Sequence, residues 1–213
     1  MPGARVAFDG RPVVGRPAAL PRLLIYHKPA GELVTRSDPQ GRPTVFDRLP
    51  VLARGRWIAV GRLDLDTSGL LLLTDSGELA ARLMHPRHAV ERVYLVRVLG
   101  ALSGAERVRL CRGIRLEDGV ARFARLEPLR ADAGGGANRW YRVALAEGRR
   151  REVRRMFEAL GHPVSRLIRV RFGPIGLPRG LPPGRWVEAS PAQVRATLAA
   201  VDREAIAERS EIG

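Results

Sequence analysis

The chain has 213 residues, 45% of them hydrophobic, which is enough for one domain with a substantial core. Lys and Arg number 37 against 22 Asp and Glu, a formal net charge of +15 that attracts polyanions such as RNA or DNA. No stretch approaches the roughly 20 apolar residues needed to span a bilayer, so we expect no membrane partner.

Cysteine and histidine usage indicates neither disulfides nor a metal. Cys111 is the only cysteine, and the chain shows no apolar signal segment at its start, so we expect a cytoplasmic protein. His85 and His88 are close in sequence, but Pro86 lies between them and no cysteine or acidic cluster accompanies them. We therefore expect no metal site.

The first half of the chain reads as short buried strands separated by polar turns. Apolar runs and β-branched residues indicate the strands, while Pro and Gly indicate the turns. In chain order the elements are a strand over 23–26, a turn over 28–31, a polar loop over 36–48, strands over 57–60 and 70–73, a helix from Asp75 or Ser76 to Met84, and a strand over 92–98.

The second half adds helices to more strands. Ser103 and Glu106 form a capping-box pattern that predicts a helix over 104–112. The apolar spacing of 153–160 predicts another helix, with Gly161 at its end. The remaining predicted elements are strands over 120–126 and 140–146 joined through 134–136, a strand over 164–172, a Pro/Gly-rich loop over 174–184, and a last helix that Ser190, Pro191 and Gln193 open.

Strands outnumber helices and do not alternate regularly with them. This favours an α+β fold around a mixed, mostly antiparallel sheet over a doubly wound fold.

A segment between two apolar strands, residues 61–69, carries unusual polar residues. It reads Gly-Arg-Leu-Asp-Leu-Asp-Thr-Ser-Gly and presents Asp64 on a tight, glycine-bounded turn at the end of a strand. The alternative is that Asp64 and Asp66 simply cap turns. A calcium loop does not fit, because its ligand spacing and distal Glu are missing.

Two further features are the basic run 149–155 and a tyrosine. The run has five arginines within seven residues at the start of a helix, where a cation opposes the helix dipole unless an anion is near. Its alternative is a solvated basic surface. Tyr94 lies within an alternating strand, and on its own it is an ordinary core tyrosine.

At these residues the sequence resembles the pseudouridine synthases. The central motif of that family is similar to Gly61-Arg62-Leu63-Asp64 followed by Thr67-Ser68-Gly69-Leu70, its first motif to Lys28-Pro29-Ala30-Gly31, and its third to Glu147–Met156. The resemblance is closer still to one bacterial branch, the large-subunit ribosomal RNA synthases of the B type. It includes residues 31–32, 38–50, 82–86 and 164–173 and covers about 23–190.

The resemblance implies a catalytic fold with a central active-site cleft over 23–190. Residues 191–213 would form a C-terminal helix and tail. Members of this branch usually begin with a small S4-type RNA-binding domain, and 1–22 is interpreted as a remnant of one plus a linker, with 6–11 as its final strand.

The resemblance also implies the chemistry: uridine in RNA becomes pseudouridine without a cofactor, after the base is flipped into a pocket. Asp64 would initiate cleavage, by attack on C1′, addition to the uracil ring or removal of a sugar proton. Arg154 would be the ion-pair partner of Asp64, and Tyr94 would pack on the flipped base. The residues expected to bind substrate or RNA are Arg62, Lys28, Arg149, Arg150, Arg151 and Arg155.

The implied partner is ribosomal RNA, with a stem-loop of 23S RNA the expected substrate, and the protein is expected to act as a monomer. One alternative is the same reaction at another ribosomal RNA site. The other is an RNA-binding or ribosome-assembly protein with vestigial catalysis, for which the Asp64 carboxylate would be unnecessary.

Overall fold

A computed structural model describes residues 7–8, 11–12, 19–129 and 137–210, and for 7–8, 11–12 and 203–210 it describes the backbone alone. The described strands, in chain order, are β1 (Ala7–Phe8), β2 (Arg11–Pro12), β3 (Leu23–Lys28), β4 (Ile58–Ala59), β5 (Ser68–Thr74), β6 (Arg92–Leu99), β7 (Ile114–Leu116), β8 (Gly119–Ala121), β9 (Arg125–Pro128), β10 (Asn138–Leu145), β11 (Val164–Phe172), β12 (Ile175–Gly176) and β13 (Trp186–Glu188).

Helices begin where the sequence supplies caps. The Ser76 hydroxyl accepts a hydrogen bond from the Leu79 N–H, and Ser103 and Glu106 form the predicted reciprocal capping box. The helices are α1 (Gly77–Met84), α2 (Gly104–Arg112), α3 (Glu152–Glu158) and α4 (Pro191–Ser210), with short 3₁₀ helices at Val45–Arg48 and Pro86–His88.

One large sheet organises the described chain. Its strand order is β13-β3-β5-β11-β6-β10-β9, with β4 beside β5 and β12 beside β11. All pairs are antiparallel except β5 with β11, which run parallel where Ser68 and Gly69 meet Ile168 and Arg169. The α+β, mostly antiparallel fold expected from the sequence is thus confirmed.

The two faces of this sheet are packed differently. On one face, Tyr94, Val96 and Val98 of β6 lie in a large apolar cluster with residues of α2, α3 and β10. We call this the cleft face. On the other, the back face, Leu70 and Leu72 of β5 pack in a second cluster with residues of α1 and α4.

Two predicted segments differ from the structure. The strand predicted over 120–126 is wrong as a single element: Gly119, with φ +116°, closes a β7–β8 hairpin, and the chain then turns inward at Phe123. The ring of Phe123 is buried 5.6 Å from that of Phe157, and its N–H donates to the Leu110 carbonyl. The free energy gained by burying this large aromatic side chain exceeds what a continued strand would contribute.

The loop predicted over 36–48 contains the first 3₁₀ helix. The Thr44 N–H and hydroxyl both donate to the Asp47 carboxylate, at 2.7 and 2.8 Å, at the start of this helix, and Val45 is buried. The predicted strand over 57–60 is shorter, at Ile58–Ala59.

The remaining predicted boundaries agree closely. Past α3, the N–H groups of Gly161 and His162 donate to the Glu158 and Phe157 carbonyls, and Gly161 has φ +80°, as its predicted role requires. The Pro/Gly-rich loop contains the two-residue strand β12. Ser190 and Gln193 bond reciprocally at the start of α4.

At the ends of the chain less is described. The predicted linker at 134–136, most of 1–22 and all of 211–213 lie outside the described residues. Within the predicted strand 6–11, Ala7–Phe8 forms β1, which pairs with β2 (Arg11–Pro12). Among the helices that are described, none is long and apolar enough to cross a membrane.

Candidate active site

The turn that holds Asp64 is fixed by its own backbone and by the strand after it. The Thr67 N–H donates to the Asp64 carbonyl at 3.0 Å, which closes the turn. Gly69 then enters β5 with φ +104°, and a side chain there would collide with the backbone of Arg169. The half-buried Asp64 is therefore held just before β5, next to the place where β5 pairs with β11.

Lys28, expected to bind RNA, lies instead beneath this turn. Its side chain is fully buried, and its Nζ donates to the carbonyls of Asp64, Leu65 and Thr67 at 3.1, 3.4 and 2.8 Å and to that of Pro29 at 3.0 Å. Burial lowers the pKa of Lys28 to about 8, although Glu32, Asp64 and Asp66 favour the charged form. The expectation that Lys28 binds RNA is thus corrected, because its ammonium donates to backbone carbonyls inside the protein.

Arg154 is also positioned differently from the expectation. It is only 4% exposed, and its guanidinium donates to the carbonyls of Val164 and Asp66 at 2.9 and 3.1 Å. Its ion pair, at 3.2 Å, is with the Asp66 carboxylate and not with Asp64. Among the described residues, the Asp64 carboxylate makes no hydrogen bond or ion pair, so it is open to a ligand.

A cavity of about 370 Å³ lies in front of Asp64. It brings together Asp64, Arg62 and Tyr94 with the first part of the basic run, Arg149 to Arg151. Tyr94 is nearly buried, so its ring forms wall rather than rim, whereas Arg62 is exposed. Lys28, Arg154 and Arg155 do not line this cavity and support it from outside.

The basic run is mostly occupied by contacts within the protein. Arg155 makes a two-point ion pair with Asp118 at 2.9 and 2.8 Å, and Arg149 donates to the Asp118 and Val120 carbonyls and pairs with Glu147. These contacts tie the run to the β7–β8 hairpin. Arg150 differs, since it is exposed and has no partner among the described residues.

The end of the run is strained. Arg151 has φ +50° just before α3 and lies 3.3 Å from the Asp66 carboxylate. A left-handed backbone costs free energy for a residue other than glycine, and such residues concentrate at functional sites. Asp66 therefore receives both Arg151 and Arg154.

Two arginines of the cavity wall were missed by the sequence reasoning. Arg169 is 3% exposed, donates from Nε to the Leu70 carbonyl at 2.8 Å, and has a buried Nη2 without a partner. Arg92 donates to carbonyls only, and burial lowers its pKa. Both guanidinium groups lie about 5 Å from the Phe172 ring. The available signal for Arg169 was the alternation of arginines in 164–172, whereas Arg92 carried none beyond its place at the start of a predicted strand.

Glu152, at the start of α3, is a buried acid beside this wall. Its carboxylate accepts from the Arg149 N–H at 3.1 Å, and burial raises its pKa. In the part of the chain that the structure describes, no cluster of three or more His, Cys, Asp or Glu side chains is placed to hold a metal ion. The cavity thus presents one open carboxylate among arginines, of which Arg92, Arg149 and Arg169 bond to backbone carbonyls, a setting for an anionic ligand that is attacked or deprotonated.

Comparisons with known proteins point to one family. A sequence model of the RNA pseudouridylate synthase family matches residues 22–159. Ribosomal large subunit pseudouridine synthase B of Escherichia coli (strain K12) is 56% identical over 194 residues, which is 90% of this chain and 66% of that protein. The protein of the same name from Yersinia pestis is 60% identical over 167 residues, 78% of this chain and 52% of that protein.

A solved structure shares the fold. The structure described as "Crystal structure of pseudouridylate synthase" has a TM-score of 0.72 and 27% identity, and the match covers 83% of this chain and 74% of that one. The chain thus spans about two thirds or less of the length of these curated relatives.

Proposed function

The chain belongs to the RNA pseudouridylate synthase family, and we propose that it isomerises a uridine of ribosomal RNA to pseudouridine in the cavity at Asp64. The observation that carries the proposal is the Asp64 turn itself. Buried donors hold the backbone of this turn from below, while the Asp64 carboxylate faces the cavity and has no partner in the described part of the chain. A purely structural aspartate would use its carboxylate as a cap.

The reaction is an isomerisation in which the N1–C1′ bond breaks and a C5–C1′ bond forms. The proton on C5 leaves and N1 gains one, so atoms and electrons balance without a redox partner. Asp64 initiates the cleavage as the group with access to the bound nucleotide. The target uridine is flipped out of its RNA structure to reach the cavity.

The other cavity residues have distinct proposed roles. The Tyr94 ring packs on the flipped base. Arg92 and Arg169 supply positive charge at the wall, which stabilises the uracil as it leaves with the electron pair of the glycosidic bond. Arg62 and Arg150, both exposed near the opening, contact RNA phosphates.

The proposed substrate is 23S ribosomal RNA, because the relatives reported above are named for the large ribosomal subunit. The proposed catalytic unit is 23–190, since β13 (Trp186–Glu188) pairs with β3 and so belongs to the same sheet. Action as a monomer in the cytoplasm completes the proposal.

The test is to incubate wild type and Asp64→Asn with a 23S RNA transcript and to map pseudouridine by carbodiimide modification and primer extension. We expect one new stop with wild type and none with Asp64→Asn, while both bind the RNA. If wild type makes no pseudouridine, the same assay is repeated with a longer chain that carries an S4-type domain. If that chain also makes none and yet binds the RNA, the protein is an RNA-binding protein without this activity.

A further inference from the structure

The back face of the sheet is covered over only part of its width. Helices α1 and α4 pack on β3 and β5, where Leu70 and Leu72 lie in the second apolar cluster. Farther along the sheet, on β6, β10 and β11, most back-face side chains are exposed or half-buried, among them Leu99 at 53% exposure, whereas Val93 and Ala144 are buried. No described helix covers this half of the back face, so among the described residues it is open to a partner.

Strand register arranges the open half into rows. In one row Arg97 lies between Arg166 of β11 and Trp140 of β10. The Arg97 guanidinium lies 6.0 Å from the centre of the Trp140 ring, and its Nε donates to the Ser165 hydroxyl at 2.9 Å. This row presents a half-buried indole beside two neighbouring cations.

The next row is apolar at its centre and charged at its edge. Leu95 lies between Ile168 and Arg142, and Arg142 is in turn opposite Glu127 of β9. The Arg142–Glu127 ion pair is long, at 3.9 Å, and both side chains are more than half exposed. Such a pair contributes little and leaves the guanidinium free to take another partner.

The arginines of this half share a face but few protein partners. Arg166 and Arg171 are exposed and make no hydrogen bond or ion pair among the described residues, whereas Arg125 pairs with Glu91 at 2.6 Å. The surface, which we call the basic face, consists of Arg97, Arg125, Arg142, Arg166, Arg171 and Trp140.

A groove of about 460 Å³ crosses the basic face. Val93, Ala144 and Val170 contribute apolar lining, while Arg125, Arg142 and Arg171 contribute cations. An apolar groove bordered by guanidinium groups accommodates a flat apolar ring together with an anion on the same molecule. Nucleotides have this chemistry, and guanidinium groups match phosphate geometry well.

We propose that the basic face binds a single-stranded segment of RNA, on the side of the sheet opposite the catalytic cavity. Arginines contact successive phosphates, and a base stacks on Trp140. Aromatic rings and arginines on a sheet surface bind single strands through stacking and charge, without sequence preference. That this RNA is the ribosomal substrate rests on the proposed function.

A triple variant, Arg142→Gln with Arg166→Gln and Arg171→Gln, tests the proposal. All three side chains are exposed and lie outside the catalytic cavity, so folding is expected to persist. The matched control removes three exposed arginines elsewhere and consists of Arg56→Gln, Arg112→Gln and Arg195→Gln. The probe is a fluorescent single-stranded oligouridylate, whose Kd is measured over a range of salt concentrations.

We expect the slope of log Kd against log salt to shrink in the triple variant by about 0.7 per lost phosphate contact, about 2 in total. The control keeps the slope of wild type. Trp140→Leu leaves the slope unchanged and weakens binding about tenfold. A minimal stem-loop substrate at saturating concentration is converted by the triple variant at the rate of wild type, because the cavity is intact.

An equal slope change in the triple variant and the control would overturn the proposal, since only net charge would then matter. Unchanged binding of the oligouridylate, with polyglutamate bound at the basic face instead, would also overturn it and would favour an acidic protein partner. Because the binding assay does not depend on pseudouridine formation, an inactive wild type with an altered slope in the triple variant would overturn only the proposed function.

Discussion

The basic run 149–155 and the basic face use arginine in opposite ways. In the run, Arg149, Arg151 and Arg155 bond to carboxylates and carbonyls of the protein itself. On the basic face, the side chains of Arg166 and Arg171 have no partner among the described residues. These two arginines are not adjacent in the sequence, unlike those of the run.

The difference shows that charge density along a sequence does not measure charge available to RNA. A compact run at the start of a helix lies close to backbone carbonyls and to the β7–β8 hairpin, and the guanidinium groups of the run donate to them. Arg166 and Arg171 of β11 lie on the face opposite the cavity-lining Arg169, and no described helix covers that face, which leaves them in solvent. Lys28, fully buried under the Asp64 turn, is the extreme case of a cation used internally.

Lys28→Met is expected to give the largest effect. Met has similar length, but four carbonyls lose their donor and the Asp64 turn is no longer fixed. A displacement of about 1 Å at a reacting group costs about 10²-fold in rate, so we expect a single-turnover rate lower by about that factor with RNA affinity retained. A normal rate with weakened RNA binding would instead make Lys28 a phosphate contact.

Asp66→Asn tests whether the ion pair between Arg154 and Asp66 is needed for the reaction. Removal of the carboxylate leaves the nearly buried guanidinium with carbonyl partners only. Loss of a charge-assisted hydrogen bond corresponds to about tenfold or more, and we expect the single-turnover rate to fall by that factor. The control is Asp202→Asn, which removes an exposed carboxylate paired with Arg82. An unchanged rate would indicate that Arg154 acts on Asp64 during the reaction.

The pH dependence sharpens the same comparison. The protonated Lys28 ammonium fixes the turn, so the rate is expected to fall as pH rises through about 8, to about half at pH 8 and about one tenth at pH 9. The stability contribution has the opposite sign. Because the pKa is lowered in the folded state from 10.5, the unfolded chain binds more protons between these values, and this group makes the fold more stable as pH rises.

The pKa can be measured directly, because Lys28 is the only lysine of the chain. Protein labelled with ¹³Cε-lysine is expected to give one side-chain NMR resonance that titrates near 8. A midpoint near 10.5 would show an exposed, mobile ammonium and would contradict the buried arrangement.

The smallest effects are expected for Arg155→Gln and Asp118→Asn. Each removes the same partly exposed ion pair, and Asp118→Asn also removes the longer contact between Asp118 and Arg149 at 3.7 Å. Both therefore change melting temperature only slightly, Asp118→Asn the more, and RNA affinity changes by less than about twofold. If Arg155 instead contacted phosphate, Arg155→Gln would weaken RNA binding and Asp118→Asn would not. Filter binding of both variants with one RNA distinguishes these outcomes.

Features with local signals could be predicted from the sequence. Ser76, Ser103 and Gly161 bound helices through contacts within a few residues, and the Asp64 turn follows from its flanking glycines. Burial of Lys28 could not be predicted in this way, because its acceptors belong to a turn far along the chain.

Arg92 and Arg169 meet only because β6 and β11 pair, and strand pairing depends on the packing of the whole sheet. The strand predicted over 120–126 failed for a related reason, since Phe123 is drawn out of strand geometry toward Phe157. The sequence likewise does not show whether Arg154 pairs with Asp64 or with Asp66, because this depends on how the turn lies against α3.

The central claim is that Asp64 in its cavity forms pseudouridine, and release of hydrogen from C5 tests it most directly. A 23S RNA transcript labelled with tritium at C5 of uridine loses that tritium only when C5 bonds to the ribose. We expect wild type to release tritium to a limit of one equivalent per transcript and Asp64→Asn to release none while binding the RNA equally. Equal release by both proteins would contradict the assignment of Asp64, and release by neither would contradict the reaction itself.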